Sequence, residues 1–287
     1  MNPKTVQKDS MQLIPLMKEA KRKGQKAQIN WLEKASVFLT FCVPGYVLLC
    51  TIAKNAKKNV GCGPGNFTCE KILPLLPNTT KKLIGVDISS NNIEYARKHY
   101  QTDPRISFQQ LDILTENIPG EFVRAFDLVI SLYCLHFVGN HKKAIANMYK
   151  MLKDGGKILI SVPRTSILTN TYQVVYNNPK WKKYMNNFND VVVQEQSEDF
   201  YKKIFKEIGF EQFQCEQEEK TFSYLEESMF GLLKSLNLFN MPARLEKEFI
   251  ETQMEYLQSN CYVEFDEKGQ QQYSFPYVMV VINASKP

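Results

Sequence analysis

The chain lacks several features that mark common classes of protein. Its seven cysteines include no CxxC pair, which argues against a zinc site, and their odd number argues against a disulfide framework. Its 36 basic and 30 acidic residues are interspersed, so the longest basic run, residues 21–23, indicates a solvated helix face rather than a nucleic-acid patch. The polar N-terminus lacks the apolar core of a secretory signal. We therefore expect a cytoplasmic protein that binds neither metal nor nucleic acid.

One apolar run qualifies that expectation. Residues 35–53 contain no charged side chain, and lysines flank them on both sides. The run is long enough for a membrane span, but Pro44 and Gly45 interrupt it and no second hydrophobic anchor follows. Three interpretations stay open: buried core segments, an insertion foreign to the fold, and a membrane span, which the interruption disfavours.

The rest of the hydrophobic pattern predicts an α/β fold. Apolar residues make up 44% of the chain, enough for one large domain. From residue 60 onward short apolar strands, at 81–89, 125–133 and 157–163, alternate with helical segments. This alternation predicts a doubly wound, mainly parallel sheet with ligands at the carboxyl ends of its strands. Helical segments at 198–210 and 244–258, and an apolar strand at 273–284, predict a helical cap and the last strands of the same sheet.

A glycine loop, residues 61–65, is the first candidate binding element. Glycines let the backbone approach a ligand closely, and the helix predicted to follow, capped by Asn66 or Thr68, would present free amides to it. Pro64 argues against a dinucleotide fingerprint, and no GK[ST] follows, which excludes a nucleoside-triphosphate loop.

Two acids follow the loop at the ends of successive predicted strands. Asp87 ends the first of these strands, where a carboxylate can accept hydrogen bonds from both ribose hydroxyls. Asp112 ends the next, where it could accept from an adenine amino group while Ile113 packs on the ring. Either acid alone is more often a strand-end turn or a helix cap. The glycine loop and the two acids together, at three successive strand ends, indicate a nucleoside-containing ligand.

The segments from residue 59 to residue 163 resemble the class I S-adenosylmethionine-dependent methyltransferases. They read VGCGPG, GVDIS, LDI, FDLVISLYCLHFV and MLKDGGKILI, in the order of that family's motifs. The resemblance implies a Rossmann-like fold and S-adenosylmethionine as the cofactor. It implicates Gly61, Gly63 and Gly65 at the methionine end of the cofactor and Asp87, followed by Ile88, at the ribose. It also implicates Asp112 and Ile113 at the adenine and Ser131 near the sulfonium.

A narrower resemblance, over nearly the whole chain, is to the arthropod juvenile hormone acid O-methyltransferases, which methylate the carboxylate of farnesoic acid or juvenile hormone acid. It rests on DSMQ, YCLHFV, NPKWKKYM, FKEIGFEQFQCE and LNLFNMPARLEKEFIETQMEYL. It implies that Gln12 lies on an N-terminal lid helix close to cofactor and substrate. That family has a His-Trp pair after the fourth strand, where this chain has His136-Phe137. Phe137 keeps an apolar wall but lacks the indole N–H, so any carboxylate contact that depended on it is lost.

A carboxylate acceptor suits the residue types present. A carboxylate is already ionised at pH 7, so methyl transfer to it needs no general base, and alignment in a dry pocket supplies most of the acceleration. We expect Gln12 or His136 to orient this acceptor and aromatic side chains to bind its apolar tail. These aromatics, each also consistent with ordinary core packing, are Tyr133, Phe137, Trp181, Tyr184 and Phe239.

The stretch before the glycine loop departs from the family pattern. That family has an apolar strand there, with an acid two residues before the first glycine, whereas this chain has Ala56-Lys57-Lys58-Asn59. Because lysines in a central strand would place charge in the core, we expect these residues not to form that strand. Asn59 could still accept a hydrogen bond, but it offers no charge to the cofactor's ammonium group.

Two hypotheses follow for this stretch. In the first, residues 36–58 replace the usual strand, through a retained or wrongly joined exon, and damage the cofactor site. In the second, residues 45–53 supply the strand and residues 54–58 loop out before the glycines, which leaves the site working.

These expectations divide the chain into an N-terminal helical lid (1–34), an atypical segment (35–58), an S-adenosylmethionine-binding core (59–163), and a substrate cap with the final strands (164–287). They predict an O-methyltransferase that esterifies a lipophilic carboxylic acid of the farnesoic or juvenile hormone acid type. The alternatives are a methyltransferase of another small acid or oxygen acceptor, and a relic that binds the cofactor without turnover.

Overall fold

The computed structural model describes residues 56–165, 167–186, 188, 197–235, 237, 239, 241–267 and 269–287. Predictions that concern Gln12, the helical lid 1–34 and the apolar run 35–53 lie outside these residues. The strands are β1 (Ala56–Val60), β2 (Lys82–Asp87), β3 (Ile106–Gln110), β4 (Phe126–Leu132), β5 (Leu152–Thr165), β6 (Glu211–Leu225), β7 (Tyr262–Phe265) and β8 (Gln271–Ser285). The α-helices are α1 (Ser90–Tyr100), α2 (His141–Met151), α3 (Ile167–Asn177), α4 (Pro179–Lys182), α5 (Glu198–Ile208), α6 (Glu226–Ser235) and α7 (Ala243–Ser259).

The strands form a single mixed sheet in the order β3-β2-β1-β4-β5-β8-β6, with β7 paired to β8. Strands β1 to β5 pair in parallel, and β8 runs antiparallel to both β5 and β6. The strand order reverses between β1 and β4, so the crevice at their carboxyl ends is where an open α/β sheet binds its ligand. The predicted doubly wound, mainly parallel sheet is confirmed.

Helices cover both faces of this sheet. On one face α2 and α5 contribute Met148 and Phe205 to a core cluster, and on the other α1 contributes Ile93 and Ala96. Every residue of β4 from Phe126 to Ser131 is buried, as expected for a parallel strand covered on both sides.

The C-terminal part builds further apolar clusters from α3, α4, α6 and α7. In one of them Trp181 packs edge-on against Phe249 at 5.4 Å between ring centroids. The helices predicted at 198–210 and 244–258 are confirmed as α5 and α7, and the strand predicted at 273–284 as β8. The role of these helices as a substrate cap stays a prediction. Within the part of the chain that the structure describes, no helix is both long and apolar enough to cross a membrane.

Strand β1 overturns the prediction about the lysine-rich stretch. Ala56–Val60 occupies the centre of the sheet, with Lys57 opposite Leu83 on β2 and Leu128 on β4. The expectation that Ala56-Lys57-Lys58-Asn59 do not form the central strand is wrong, and the second hypothesis is wrong for residues 56–58, which do not loop out. The first hypothesis, a replaced segment that damages the cofactor site, stays a prediction, because most of residues 36–58 lie outside the described residues. The two neighbouring strands pair with β1 on both sides, and the Ala56 N–H donates to Asp127 Oδ2 at 2.8 Å.

The core accommodates these lysines by disfavouring their charged form. Both side chains are 0% exposed, and they lie on opposite faces of the sheet because successive strand residues alternate. Lys58 Nζ lies 2.9 Å from the ring centroid of Phe122 and has no hydrogen-bond partner among the described residues. Burial lowers the pKa of Lys58 to about 6, so its amine is mostly neutral at pH 7. Burial also lowers the pKa of Lys57, and Asp127 partly opposes that shift.

The segment after the glycine loop is helical, as predicted, but it is not a regular α-helix. Residues 66–67 start it, and a π-helical turn, Thr68–Ile72, and a 3₁₀ turn, Leu73–Leu75, follow. Pro74 accounts for the irregular geometry, because it has no N–H and its ring clashes with the carbonyl four residues earlier in a regular α-helix. Thr68 lies inside the π-helical turn and its Oγ1 accepts from Asn59 Nδ2, so it is not the cap of this segment, whereas capping by Asn66 stays a prediction.

Candidate active site

The first glycine holds the loop tightly against β2 and β4. Gly61 has φ 74°, and its N–H donates to the carbonyl oxygen of Val86 at 2.8 Å. A Cβ at this position would lie 2.4 Å from Cys134 Sγ, so only glycine fits without displacing the residue that follows Tyr133. The loop therefore meets the carboxyl ends of β1, β2 and β4 at one point.

The second glycine faces open space, whereas the third packs inside the protein. A Cβ on Gly63, whose φ is 55°, would meet no described atom within 4 Å. A Cβ on Gly65 would lie 2.8 Å from Ala96 and 2.9 Å from Phe108. Gly61 and Gly65 thus allow close packing, whereas Gly63 has free space beside it among the described residues.

Asp87 is fixed at the end of β2 beside this surface. Its Oδ2 accepts from the Gly63 N–H at 2.9 Å, and its Oδ1 accepts from the Ser89 N–H at 3.0 Å and from Asn92 Nδ2 at 3.3 Å. These bonds orient the carboxylate, and since two oxygens offer about four acceptor positions, room for a further donor remains. Ile88, the next residue, is 65% exposed.

Asn59 lies at the end of β1 beneath the loop. Its Nδ2 donates to Thr68 Oγ1 at 2.8 Å. Its Oδ1 is buried without a hydrogen-bond partner among the described residues. A buried acceptor without a donor is costly, and a bound group that carries N–H protons would relieve that cost.

The predicted adenine region lies in a turn rather than at a strand end. Strand β3 ends at Gln110, so the prediction that Asp112 ends the strand is wrong. Asp112 is exposed, and its Oδ1 accepts from the Leu114 N–H at 2.8 Å. Ile113 is 7% exposed and packs in the core.

A residue of α2 that sequence reasoning missed holds this turn in place. Asn147 Nδ2 donates to the carbonyl oxygens of Ile113, at 2.8 Å, and Thr115, at 2.9 Å. No signal in a single sequence distinguishes this asparagine from an exposed helix residue, because its burial depends on how α2 packs on the sheet.

The end of β4 carries the next group of candidates. Ser131 is fully buried, and Tyr133 has the unusual φ of 51°. The Tyr133 hydroxyl lies 3.0 Å from that of Tyr277 on β8, which in turn stacks on Phe222 of β6 at 3.8 Å. A bulky residue with positive φ is strained, and such strain is concentrated at functional sites.

A 3₁₀ turn, Leu135–Phe137, places His136 and Phe137 beside each other, with their ring centroids 3.8 Å apart. Both side chains are half-buried, and His136 Nδ1 has no hydrogen-bond partner within the described ranges. Burial, reinforced by the neighbouring His141, lowers the pKa of His136 to about 3. The ring is therefore neutral at pH 7.

The five aromatic side chains predicted to bind substrate do not form one cluster. Trp181, Tyr184 and Phe239 share the cluster of α3, α4 and α7. Tyr133 packs against the other cluster, to which α1 contributes Ile93 and Ala96. Trp181 is 1% exposed, so its surroundings are those of a packing residue. Substrate binding by these side chains stays a prediction.

Comparison with known proteins identifies the family. A model of the methyltransferase domain matches residues 59–160. The juvenile hormone acid O-methyltransferase of Drosophila melanogaster is 32% identical over 244 residues, which cover 81% of each chain. The chain belongs to the class I S-adenosylmethionine-dependent methyltransferases. It is thus an O-methyltransferase whose cofactor is S-adenosylmethionine.

Two further matches agree with this assignment. The juvenile hormone acid O-methyltransferase of Bombyx mori is 28% identical over 202 residues, which cover 67% of this chain and 70% of that protein. The crystal structure of the YcgJ protein of Bacillus subtilis has a TM-score of 0.53 and 17% identity, and the match covers 84% of this chain and 97% of that one. This last similarity supports the fold alone.

The residues of the methyltransferase fit its cofactor. Gly63 leaves an open surface, Asp87 presents an oriented carboxylate, and Asn59 presents a buried acceptor without a donor. Among the described residues no group of three His, Cys, Asp or Glu side chains could hold a metal ion.

Proposed function

We propose that this methyltransferase esterifies the carboxylate of a lipophilic acid of the farnesoic or juvenile hormone acid type. The observation that carries the proposal is the turn after β4, where a neutral imidazole with an unpaired, buried Nδ1 stands against the apolar ring of Phe137. Such a pair offers one polar contact and one apolar wall, as a carboxylate on a hydrocarbon chain requires.

The bound cofactor supplies an electrophilic methyl group on a sulfonium. Gly63, Asp87 and Asn59 would hold it, and the turn Leu135–Phe137 would face the acceptor. His136 orients the acceptor through a hydrogen bond and takes up no proton, because the carboxylate reaches the site ionised. A general base is therefore not required, and the contribution of the protein is orientation and the exclusion of water.

The aromatic side chains support an apolar acceptor rather than a short acid. Tyr133, Phe222 and Tyr277 form one aromatic group at the end of β4, and Phe137 adds a second apolar surface. A short hydrophilic acid would make no use of the half-buried apolar ring of Phe137. Gln12 of the lid stays a candidate for the second polar contact.

Methyl transfer from labelled S-adenosylmethionine to a farnesoic-type acid, followed by extraction of the ester, tests the proposal. We expect turnover with the long acid and little with a short acid such as acetate. Phe137→Trp, which restores the indole N–H of the resembling family, is expected to lower KM for the long acid. Turnover of short acids at equal efficiency would overturn the proposed substrate class.

One observation favours a second candidate, a protein that binds the cofactor without turnover. Lys57 and Lys58 stand in the central strand that leads into the glycine loop, and their burial opposes folding of that strand. Cofactor binding without methylation of any acid or hydroxyl acceptor would support this candidate against the enzyme.

A further inference from the structure

We propose that Tyr201 and His141 are positioning residues that hold the turn Leu135–Phe137 in the geometry the acceptor needs. This inference rests on the proposed function, because it assigns the acceptor to that turn. Neither residue touches the predicted acceptor, and both act through the backbone of Leu135.

The contacts form a continuous relay between two helices and the turn. His141, the first residue of α2, is 4% exposed, and its Nε2 lies 2.8 Å from the carbonyl oxygen of Leu135. The Tyr201 hydroxyl, from α5, lies 3.1 Å from His141 Nδ1. The two rings are also nearly parallel, with their centroids 5.8 Å apart.

The chemistry of the partners fixes the position of the imidazole proton. A carbonyl oxygen only accepts, so His141 Nε2 must carry the proton that Leu135 receives. Burial lowers the pKa of His141, so the ring is neutral and its Nδ1 is an acceptor. The Tyr201 hydroxyl therefore donates to Nδ1, and burial raises the pKa of that hydroxyl, which keeps its proton in place.

The Leu135 carbonyl thus fixes the tautomer, because with the proton on Nδ1 the Nε2 lone pair would face another acceptor. The tyrosine fixes the orientation of the ring, because its hydroxyl donates to Nδ1. Removal of the Tyr201 hydroxyl leaves the tautomer as it was but removes the hydrogen bond that holds the ring against Leu135. The Leu135 carbonyl directly precedes His136, so loss of its hydrogen bond loosens the side chains that would meet the acceptor.

The relay holds a different segment from the one that carries the cofactor contacts, and this difference predicts a specific kinetic effect. Asp87, Gly63 and Asn59 lie at the ends of β1 and β2, whereas the relay holds the segment after β4. A change in the relay should therefore alter KM for the acceptor and leave the affinity for S-adenosylhomocysteine as it was. A purely structural role would alter stability alone.

Tyr201→Phe tests the relay in the full-length chain, with Tyr149→Phe, at the other end of α2, as the matched control. We expect Tyr201→Phe to raise KM for the long acid about fivefold, the effect of one lost hydrogen bond, with kcat and the Kd of S-adenosylhomocysteine within twofold of wild type. The control variant should leave KM, kcat and the Kd of S-adenosylhomocysteine unchanged. Nitrogen-15 NMR should show His141 protonated at Nε2 in the wild type and in Tyr201→Phe, with the Nδ1 resonance shifted in the variant because that nitrogen loses its donor.

A second variant pair separates the donor from the tyrosine. His141→Gln can still donate to Leu135, whereas His141→Ala cannot, so we expect the glutamine variant to retain a lower KM than the alanine variant. Unchanged KM in Tyr201→Phe and His141→Ala, with an active wild type, would overturn this inference alone. A wild-type chain that esterifies no acid would overturn the proposed function and this inference with it.

Discussion

Replacement of Lys58 by methionine should stabilise the protein and remove a pH dependence that the buried amine creates. Lys58 is 0% exposed over the rings of Phe122 and Phe126, and methionine has a similar length without the amine. The pKa of Lys58 falls from 10.5 to about 6 on folding. Since one pKa unit corresponds to about 1.4 kcal/mol, the proton lost on folding at pH 7 costs about 4–5 kcal/mol.

The sign of the pH dependence follows from proton binding. Between pH 6 and pH 10.5 the unfolded chain holds a proton on Lys58 that the folded protein lacks, so the free energy of unfolding rises with pH by about 1.4 kcal/mol per unit. Lys57 adds a dependence of the same sign, because burial lowers its pKa as well. Burial of Lys58 therefore lowers the free energy of unfolding most at low pH, and this penalty vanishes above pH 10.5.

The window for the measurement is set by the other buried groups. Burial lowers the pKa values of His136 and His141 from 6.5, so both destabilise the fold below that pH. Burial raises the pKa values of Cys62 and Cys134 from 9.0, so both destabilise it above pH 9. Between pH 7.0 and 8.5 the lysines dominate, and Lys58 alone should raise the free energy of unfolding by about 2 kcal/mol.

Urea unfolding at three pH values in this window gives the required free energies. We expect Lys58→Met to be the more stable protein at pH 7.0 and to show a smaller slope with pH than the wild type. Lys81→Met, at an exposed position just before β2, is the control and should keep the wild-type slope. Equal slopes in the wild type and Lys58→Met would refute the reasoning, because they would show that Lys58 keeps its proton in the folded state.

Three further predictions concern the site. Gly61→Ala should destabilise the fold, because its Cβ would meet Cys134. Gly63→Ala should fold and weaken S-adenosylhomocysteine binding at least tenfold by calorimetry. Equal stability of the two variants would contradict this prediction. Asn59→Asp should bind S-adenosylmethionine more tightly, by up to about tenfold, through charge on the ammonium group, and unchanged affinity in the same titration would count against that contact. Asn147→Ala should lose about 2 kcal/mol of stability in urea, since two carbonyl oxygens of the turn after β3 lose their donor; a loss below 0.5 kcal/mol would show that water replaces it.

The sheet and the end of β2 could be predicted from the sequence because their signals are local. Apolar strands alternate with helical segments at regular spacing, and Asp87 directly follows a buried run, so its place at the strand end needed no tertiary information. Asp112 lies two residues past the end of β3, because the apolar Leu111, whose N–H still donates to the carbonyl oxygen of Asp87, extends the strand-like pattern beyond Gln110.

The central strand could not be predicted, because its own residues oppose the structure they adopt. Lys57 and Lys58 read as loop residues, and only the pairing of β1 with β2 and β4 places them in the core. Tertiary context overrides local preference in such a position. The relay of His141 and Tyr201 was missed for a related reason, since the two residues lie 60 positions apart in the sequence.

The most direct test of the account is calorimetric titration of the full-length protein with S-adenosylhomocysteine, whose binding depends on the glycine loop and Asp87 together. The account predicts micromolar one-to-one binding that Asp87→Ala abolishes, because a central strand that carries buried lysines still delivers the loop to its place. No binding by a cooperatively folded wild-type chain, or equal binding by Asp87→Ala, would contradict it.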